Sequence, residues 1–429
     1  MAILRRSRGL RNLGTGILSV VLVLALGAGA SAKTTITVGV FPDLDSVIKA
    51  VIPEFNKAYP DIEIKLQALG YADHHNALLT ALATGSGAPD VVAVEIGYLG
   101  RFAVQGGLTD LSKPPFSGGQ YRDLFVPYAW GQATTADGRI VAMPADIGPG
   151  TMFYRRDVVQ AAGLDINTVN TWDELVAFGR KVTRDTNGDG KPDVFLIAAA
   201  STIADAMYRG NIPEGEGVYF DARGRTVVES PRFVKAFTVA QQVRRAGLDA
   251  RIGSWSNEWY EAFKRGTVAV ELSGAWLAGH LQNWMAPDTA GKWGARDLPE
   301  NMYVSWGGSF YAIPEQSKNK ADAWKLVQFL TTRRDIQLLA FRTTNAFPAL
   351  RAALDDPTFD EPVPFLGGQK ARRMWAEAAS KVHASVIHPG DPVAQEIVTS
   401  ALTQVLEEGK DVKQALAEAK QLIERRVRR

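Results

Sequence analysis

Strand and helix signals alternate along most of this chain, and that rhythm restricts the fold more than any other feature. TITVGV (Thr35–Val40) reads as a strand that enters the turn Phe41-Pro42-Asp43. Val47, Ile48, Val51, Ile52 and Phe55 then recur at helical spacing, with Pro53 placed to kink the helix. IEIKL (Ile62–Leu66) alternates apolar and charged residues, as a half-buried strand does. Tyr71 falls in the next loop, and Asn76–Thr84 predicts a short helix ended by GSGAP (Gly85–Pro89). DVVAV (Asp90–Val94) is a continuous apolar run of the kind found in buried parallel strands. Thr171 is placed to cap a helix with Asp173 and Glu174 in its first turn and Leu175 and Phe178 on its apolar side. Val268–Leu272 reads as a further strand, and three late helical faces follow, from Ala323, Val398 and Val412. Such alternation indicates an α/β architecture with helices on both faces of the sheet, and 429 residues suggest two domains.

The first 32 residues stand apart. Arg5, Arg6, Arg8 and Arg11 precede an apolar run, Ile17–Leu26, and the small-residue site Ala30-Ser31-Ala32. These are the three regions of a secretory signal peptide, cleaved near Ala32. The apolar run is too short for a stable membrane span. Arg5-Arg6 leaves a twin-arginine export route open beside the general one. Removing the four arginines takes the formal charge from +2 to −2, and a weakly acidic body argues against a nucleic-acid partner. There is no cysteine, which excludes disulfides, thiolate metal sites, a cysteine nucleophile and a lipid-anchored cysteine. A free periplasmic protein is the expectation.

From Leu272 to Gly308 the chain is dense in tryptophan and glycine and poor in charge. Indole faces stack on sugar rings, and glycine lets backbone amides approach hydroxyl groups. This stretch reads as part of the wall and hinge of a saccharide cleft, against the plainer alternative of aromatic core filling. Pro144–Gly150, with two prolines and two glycines between apolar runs, suits a crossing between lobes. DTNGDGKPD places Asp185, Asn187, Asp189 and Asp193 at positions 1, 3, 5 and 9 of a Ca²⁺-loop pattern, but Leu196 stands where the bidentate Glu belongs. A structural Ca²⁺ and an empty surface turn both fit. The five histidines form no metal-binding spacing, and His74-His75 is expected at a helix start on the surface. No GxSxG elbow, Walker loop or GxGxxG occurs.

Several phrases occur together in order: GSGAPDVV, RFAVQGGLTDLS, Met143–Asp157, TWDEL, DTNGDGKPD, FKRGTVAVELSGAW and IPEQSKNKADAWKLVQFL. On these the chain resembles the extracellular solute-binding proteins of sugar ABC importers, the group that includes maltose-binding protein. GKWGARDLP followed by GGS looks like the subgroup that handles small sugars such as lactose or arabinose. The resemblance implies two α/β lobes with crossings near Asp146–Gly148, Leu272–Gly274 and Asn345–Phe347. Residues 33–145 plus 275–345 would form one lobe, and 146–274 plus 346–429 the other. It implies a monomer that closes on a small neutral saccharide, needs no cofactor, and delivers its ligand to the membrane subunits of a permease.

A neutral sugar calls for hydrogen-bonding groups at its edge and aromatics at its faces. The resemblance places Asp43 at a sugar-contacting position, with capping of the next helix as its alternative role. Glu95 closes its strand where ligands collect in parallel sheets. Asp146 matches a cleft-lining segment, and Trp276, in SGAW, matches the family's stacking tryptophan. Trp255 is placed to stack from the second lobe, with Trp259 one turn on and facing the core. Trp306, Gly307, Gly308 and Ser309 are placed to present an indole, close amides and a hydroxyl; Tyr71 is a further ligand candidate. Asp90 reads as a structural anchor. His388-Pro389-Gly390-Asp391 stands where longer-sugar binders carry another stacking ring, which suits a shorter sugar. A secreted glycoside hydrolase also combines acids and aromatics. A receptor of the same fold for a polyol, peptide or anion is the third reading, although an anion would call for arginines.

Overall fold

The two leading strands pair in parallel, as their spacing predicts. In the computed structural model, which describes residues 33–135 and 137–427, Thr34–Val40 (β1) pairs with Ile62–Ala68 (β2) on one side and Val91–Glu95 (β3) on the other. The signal-peptide reading lies outside the described residues. Leu44–Ala58 (α1) and Tyr71–Thr84 (α2) make the two crossovers. Leu44, Val47, Ile48, Val51 and Phe55 are the buried stripe of α1, which continues through Pro53.

α2 starts earlier than the sequence suggested, so Tyr71 is its first residue rather than part of a loop. The cause lies in the two histidines, which are buried rather than on the surface. His74 Nε2 donates to the Ala93 carbonyl at 2.8 Å. His75 Nδ1 donates to the Tyr71 carbonyl at 2.7 Å, and its Nε2 accepts the Glu95 N–H at 3.1 Å. The two rings thereby tie the first turn of α2 to β3.

The remaining strands run antiparallel. They are Met143–Arg155 (β4), Val270–Gly274 (β5), Trp293–Arg296 (β6), Ser305–Ala312 (β7) and Phe347–Pro348 (β8). The order is β2-β1-β3-β7-β4-β5, with β6 and β8 also on β4. β4 is the axis of the molecule. Its first half pairs with β7 and β8, and its second half with β5 and β6. Register breaks between Pro144 and Asp146 and between Ile147 and Pro149 lie where it passes from one set to the other. Gly148 is required there: a Cβ would stand 1.9 Å from the Trp306 carbonyl oxygen. Asn345, in the left-handed region at φ 60°, turns the chain into β8 beside Asp146 and Ile147. The three expected crossings thus converge around Gly148–Gly150.

Apolar residues collect in two large clusters that meet at β4. One surrounds β1 and α1 and extends to Phe263, Trp293 and Trp375. The other holds Trp172, Tyr208, Phe233, Phe237 and the two C-terminal helices, Asp391–Glu407 and Val412–Val427. Thr171 caps its helix with both bonds of a capping box to Glu174. Asp90 is the anchor its position suggests: it accepts from the Thr37 amide and hydroxyl and from Ser317 Oγ.

The Asp185–Asp193 loop closes on itself. Asp185 accepts from the amides of Asn187, Gly188 and Gly190, Asn187 from Asp189, Asp189 from Lys191, and Asp193 from Thr186. These bonds tie the turn together from within the loop. Among the described residues, no helix is long and apolar enough to cross a membrane.

Candidate ligand-binding cleft

β3, β7 and β4 lie side by side and bring two carboxylates into line. Ser309 on β7 pairs with Glu95 on β3 and with Asp146 on β4. Residues directly opposite one another share a face of the sheet, so Glu95 and Asp146 emerge together on either side of Ser309. The Ser309 amide donates to Asp146 Oδ1 at 3.1 Å. Glu95 Oε2 accepts from the Gly97 amide at 2.7 Å and the Tyr71 hydroxyl at 3.0 Å.

Both carboxyls are partly buried. Burial pushes Asp146 up to about 6, against its bonds to Ser309, and the nearby Asp43 charge adds to the rise. Burial raises Glu95 too, opposed by its bonds to Gly97 and Tyr71 and by the Arg209 cation. Carboxylates short of solvent gain from an incoming hydroxyl donor.

Asp43 stands at the start of α1 with φ 73°, yet its side chain makes no capping bond. It turns instead to His280, whose Nδ1 lies 2.9 Å from Asp43 Oδ2. The capping alternative is therefore not what its side chain does.

The indoles gather beside this sheet end. Trp276 ends the second crossing, and its Nε1 donates to the Trp306 carbonyl at 2.8 Å. Trp255 stacks on Trp276, with centroids 5.6 Å apart and planes 16° from parallel. Trp255 is 54% exposed and sits at φ 67°, whereas Trp259 is buried in the core. Trp306 is half-buried and packs toward the second cluster. Gly307 and Gly308 have φ of 81° and 141°, and a Cβ on Gly307 would meet Trp276 Nε1 at 3.0 Å. Glycine there lets β7 pass beneath the indole.

Asp43, Tyr71, Glu95, Asp146, Ser309 and Gly308 thus gather at the sheet end, Trp255 and Trp276 stack beside it, and Trp306 meets Trp276 through its carbonyl while its ring packs toward the second cluster. Asp185, Asn187, Asp189 and Asp193 stand in their own loop and touch none of these. His388 and Asp391 are engaged elsewhere: His388 stacks on Phe220 at 3.9 Å, and its amide donates to Asp391.

Three residues of this region escaped the sequence reading. Arg209 closes the helix Ala200–Arg209 and bears on Glu95. Burial opposes its charge, but Tyr219, Tyr208 and Asp205 more than compensate, so it stays cationic. Nothing local marks it. His280 and Trp284 do carry a signal: with Trp276 they are spaced four apart, one ring per helical turn.

The family described as bacterial extracellular solute-binding protein matches residues 50–365. The chain belongs to this family. This solute-binding protein is 28% identical over 310 residues to an arabinooligosaccharide-binding protein of Bacillus subtilis (strain 168), covering 70% of this chain and 69% of that one. It is 25% identical over 358 residues to a lactose-binding protein of Rhizobium radiobacter, covering 79% and 80%. Among solved structures, it is similar to the ABC transporter associated binding protein of B. animalis subsp. lactis Bl-04 in complex with β-1,6-galactobiose. The TM-score is 0.75 at 23% identity, over 91% of this chain and 96% of that one. That likeness establishes the two-lobed solute-binding fold, with its cleft between the lobes.

Proposed function

We propose that this solute-binding protein captures a neutral mono- or short oligosaccharide and passes it to the membrane subunits of an ABC importer. One observation carries the reading: Glu95 and Asp146 flank Ser309 at the end of the sheet, and a stacked indole pair is tied to the same strand through the Trp306 carbonyl. Acceptors at the edge and flat apolar faces opposite are what a sugar ring needs. The arabinooligosaccharide-binding and lactose-binding relatives support saccharide as the class.

Capture is a closure about β4. Ligand held by Glu95, Ser309 and Trp276 of the first lobe gains Asp146 and Trp255 of the second, and closure follows from that difference in affinity. The lobes are 33–145 plus 275–345, and 146–274 plus 346–429. The ligand leaves unaltered, no cofactor takes part, and any Ca²⁺ at Asp185–Asp193 braces a loop remote from the cleft. Export by the first 32 residues, with no cysteine to lipidate, makes the protein free and periplasmic. It acts as a monomer.

A thermal-shift screen of the chain from Lys33 tests this. Mono- and disaccharides should raise the melting temperature, since bound ligand adds RT ln(1 + [L]/Kd) to stability. A mannitol-binding relative in Pseudomonas aeruginosa makes polyols the necessary comparison arm. Stabilisation by polyols or amino acids alone would reject the saccharide, and release of new reducing ends would reject the receptor in favour of a hydrolase.

A further inference from the structure

The aromatic wall does not stop at the inner indole pair. Trp276 meets His280 at 5.3 Å, and His280 meets Trp284 at 5.6 Å. Tyr260, on the helix Asn257–Arg265, meets Trp284 at 5.1 Å, and its hydroxyl donates to the Trp255 carbonyl at 3.3 Å. The run therefore leads continuously from the inner pair outward.

Trp284 is set up differently from a packing residue. It is 45% exposed, while its neighbours Leu281 and Met285 are fully buried. The Tyr260 and His280 rings both stand 76° from its plane, so neither stacks on the indole. It rides on a π-helical turn, Leu281–Met285, a rare distortion that re-aims side chains and recurs at functional sites. Its hydrogen-bonding edge is also poised. His280 Nδ1 lies 3.0 Å from Trp284 Nε1 and 2.9 Å from Asp43 Oδ2. One ring nitrogen either accepts from the indole or donates to the carboxylate, not both. When His280 donates to Asp43, the Trp284 N–H is left to a ligand hydroxyl.

We propose that Trp284, flanked by Tyr260 and His280, is an outer stacking platform for a further ring of an oligosaccharide whose first ring occupies the inner site. This rests on the saccharide reading above and sharpens it: the preferred ligand is an oligosaccharide rather than a free monosaccharide. The expectation of a shorter sugar, drawn from the missing ring near His388, is replaced on the other wall.

The test is calorimetry on the chain from Lys33 with three series: arabinose, arabinobiose and arabinotriose; galactose and lactose; glucose, maltose and maltotriose. In the series that binds, the wild type should favour the longer members by about tenfold. Trp284→Ala should weaken the longer members by about three- to tenfold, leave the monosaccharide within about twofold, and melt as the wild type does. Trp284→Phe should recover most of the loss. Equal loss at every length, no loss at any length, or tightest wild-type binding of the monosaccharide would each overturn the platform while the saccharide reading stands. An effect of Trp284→Ala confined to uptake by cells, with every affinity unchanged, would overturn it as well. No heat from any series with the wild type would bring down the saccharide reading itself.

Discussion

The Trp276 indole N–H donates to the Trp306 carbonyl across 2.8 Å, joining the end of one crossing to the glycine-rich strand beside it. The bond fixes the plane on which Trp255 stacks. Trp276→Ala should weaken binding of the cognate sugar by about 5–150-fold, the equivalent of ~1–3 kcal/mol, with the fold intact. Trp276→Phe keeps a ring but loses the bond, so it should fall between the two. Calorimetry against the wild type decides it, and an unchanged affinity for Trp276→Ala would reject the residue as a platform.

Asp146 gives the cleft a pH dependence. Its carboxyl sits at about 6 because burial disfavours its charge. A raised folded pKa means that the protonated form is favoured by folding, so acidification through 6 adds stability while it removes an acceptor. Sugar affinity should therefore fall below pH 6, by at most about tenfold per unit. Asp146→Asn should bind weakly and show a flatter profile over that range. A wild-type affinity constant from pH 7 to 5 would refute the acceptor role.

Glu271 lies away from the cleft, on β5, and is 1% exposed with one oxygen lacking any hydrogen-bond partner. Burial lifts its carboxyl to about 8, against the pull of the Trp259 indole and the Ala198 amide. Its contribution to stability is complete below its unfolded value and is lost as pH rises through 8. Glu271→Gln should remove that loss and gain up to a few kcal/mol on the wild type between pH 5 and 8. Denaturant melts at both pH values measure it.

Gly148→Ala tests the crossing. Its Cβ would meet a backbone oxygen at 1.9 Å, which no rotamer relieves. A loss of about 1–3 kcal/mol or more is expected. Alanine at Gly188, where nothing lies within 4 Å but φ is 82°, should cost less and act only through the backbone. Comparing the two midpoints separates crowding from backbone strain.

Much of the architecture was legible because local patterns and tertiary burial agree. The β1, β2 and β3 periods, the α1 stripe and the Thr171 capping box all depend on residues a few positions apart. Pro144–Gly150 reads as a crossing, but its prolines and glycines do not reveal that it lies inside a strand as long as Met143–Arg155. They are tolerated because Gly148 and Gly150 let β7 and its approach come close. The start of α2 was missed because the bonds that bury His74 and His75 come from β3, some twenty residues on. Of the cleft, the tryptophans announced themselves by composition. Arg209 did not, since an arginine at a helix end is ordinary until the partner strand is placed. Trp284 had its four-residue spacing on view, but the Tyr260 and Asp43 beside its cluster arrive from separate parts of the chain.

β4 has a further consequence for how the protein is made. Asp146 must wait for Ser309, 163 residues downstream, before this central strand can take its place. Such distant pairing slows folding. The central strand therefore completes the fold late, once most of the chain is at hand to pair with it.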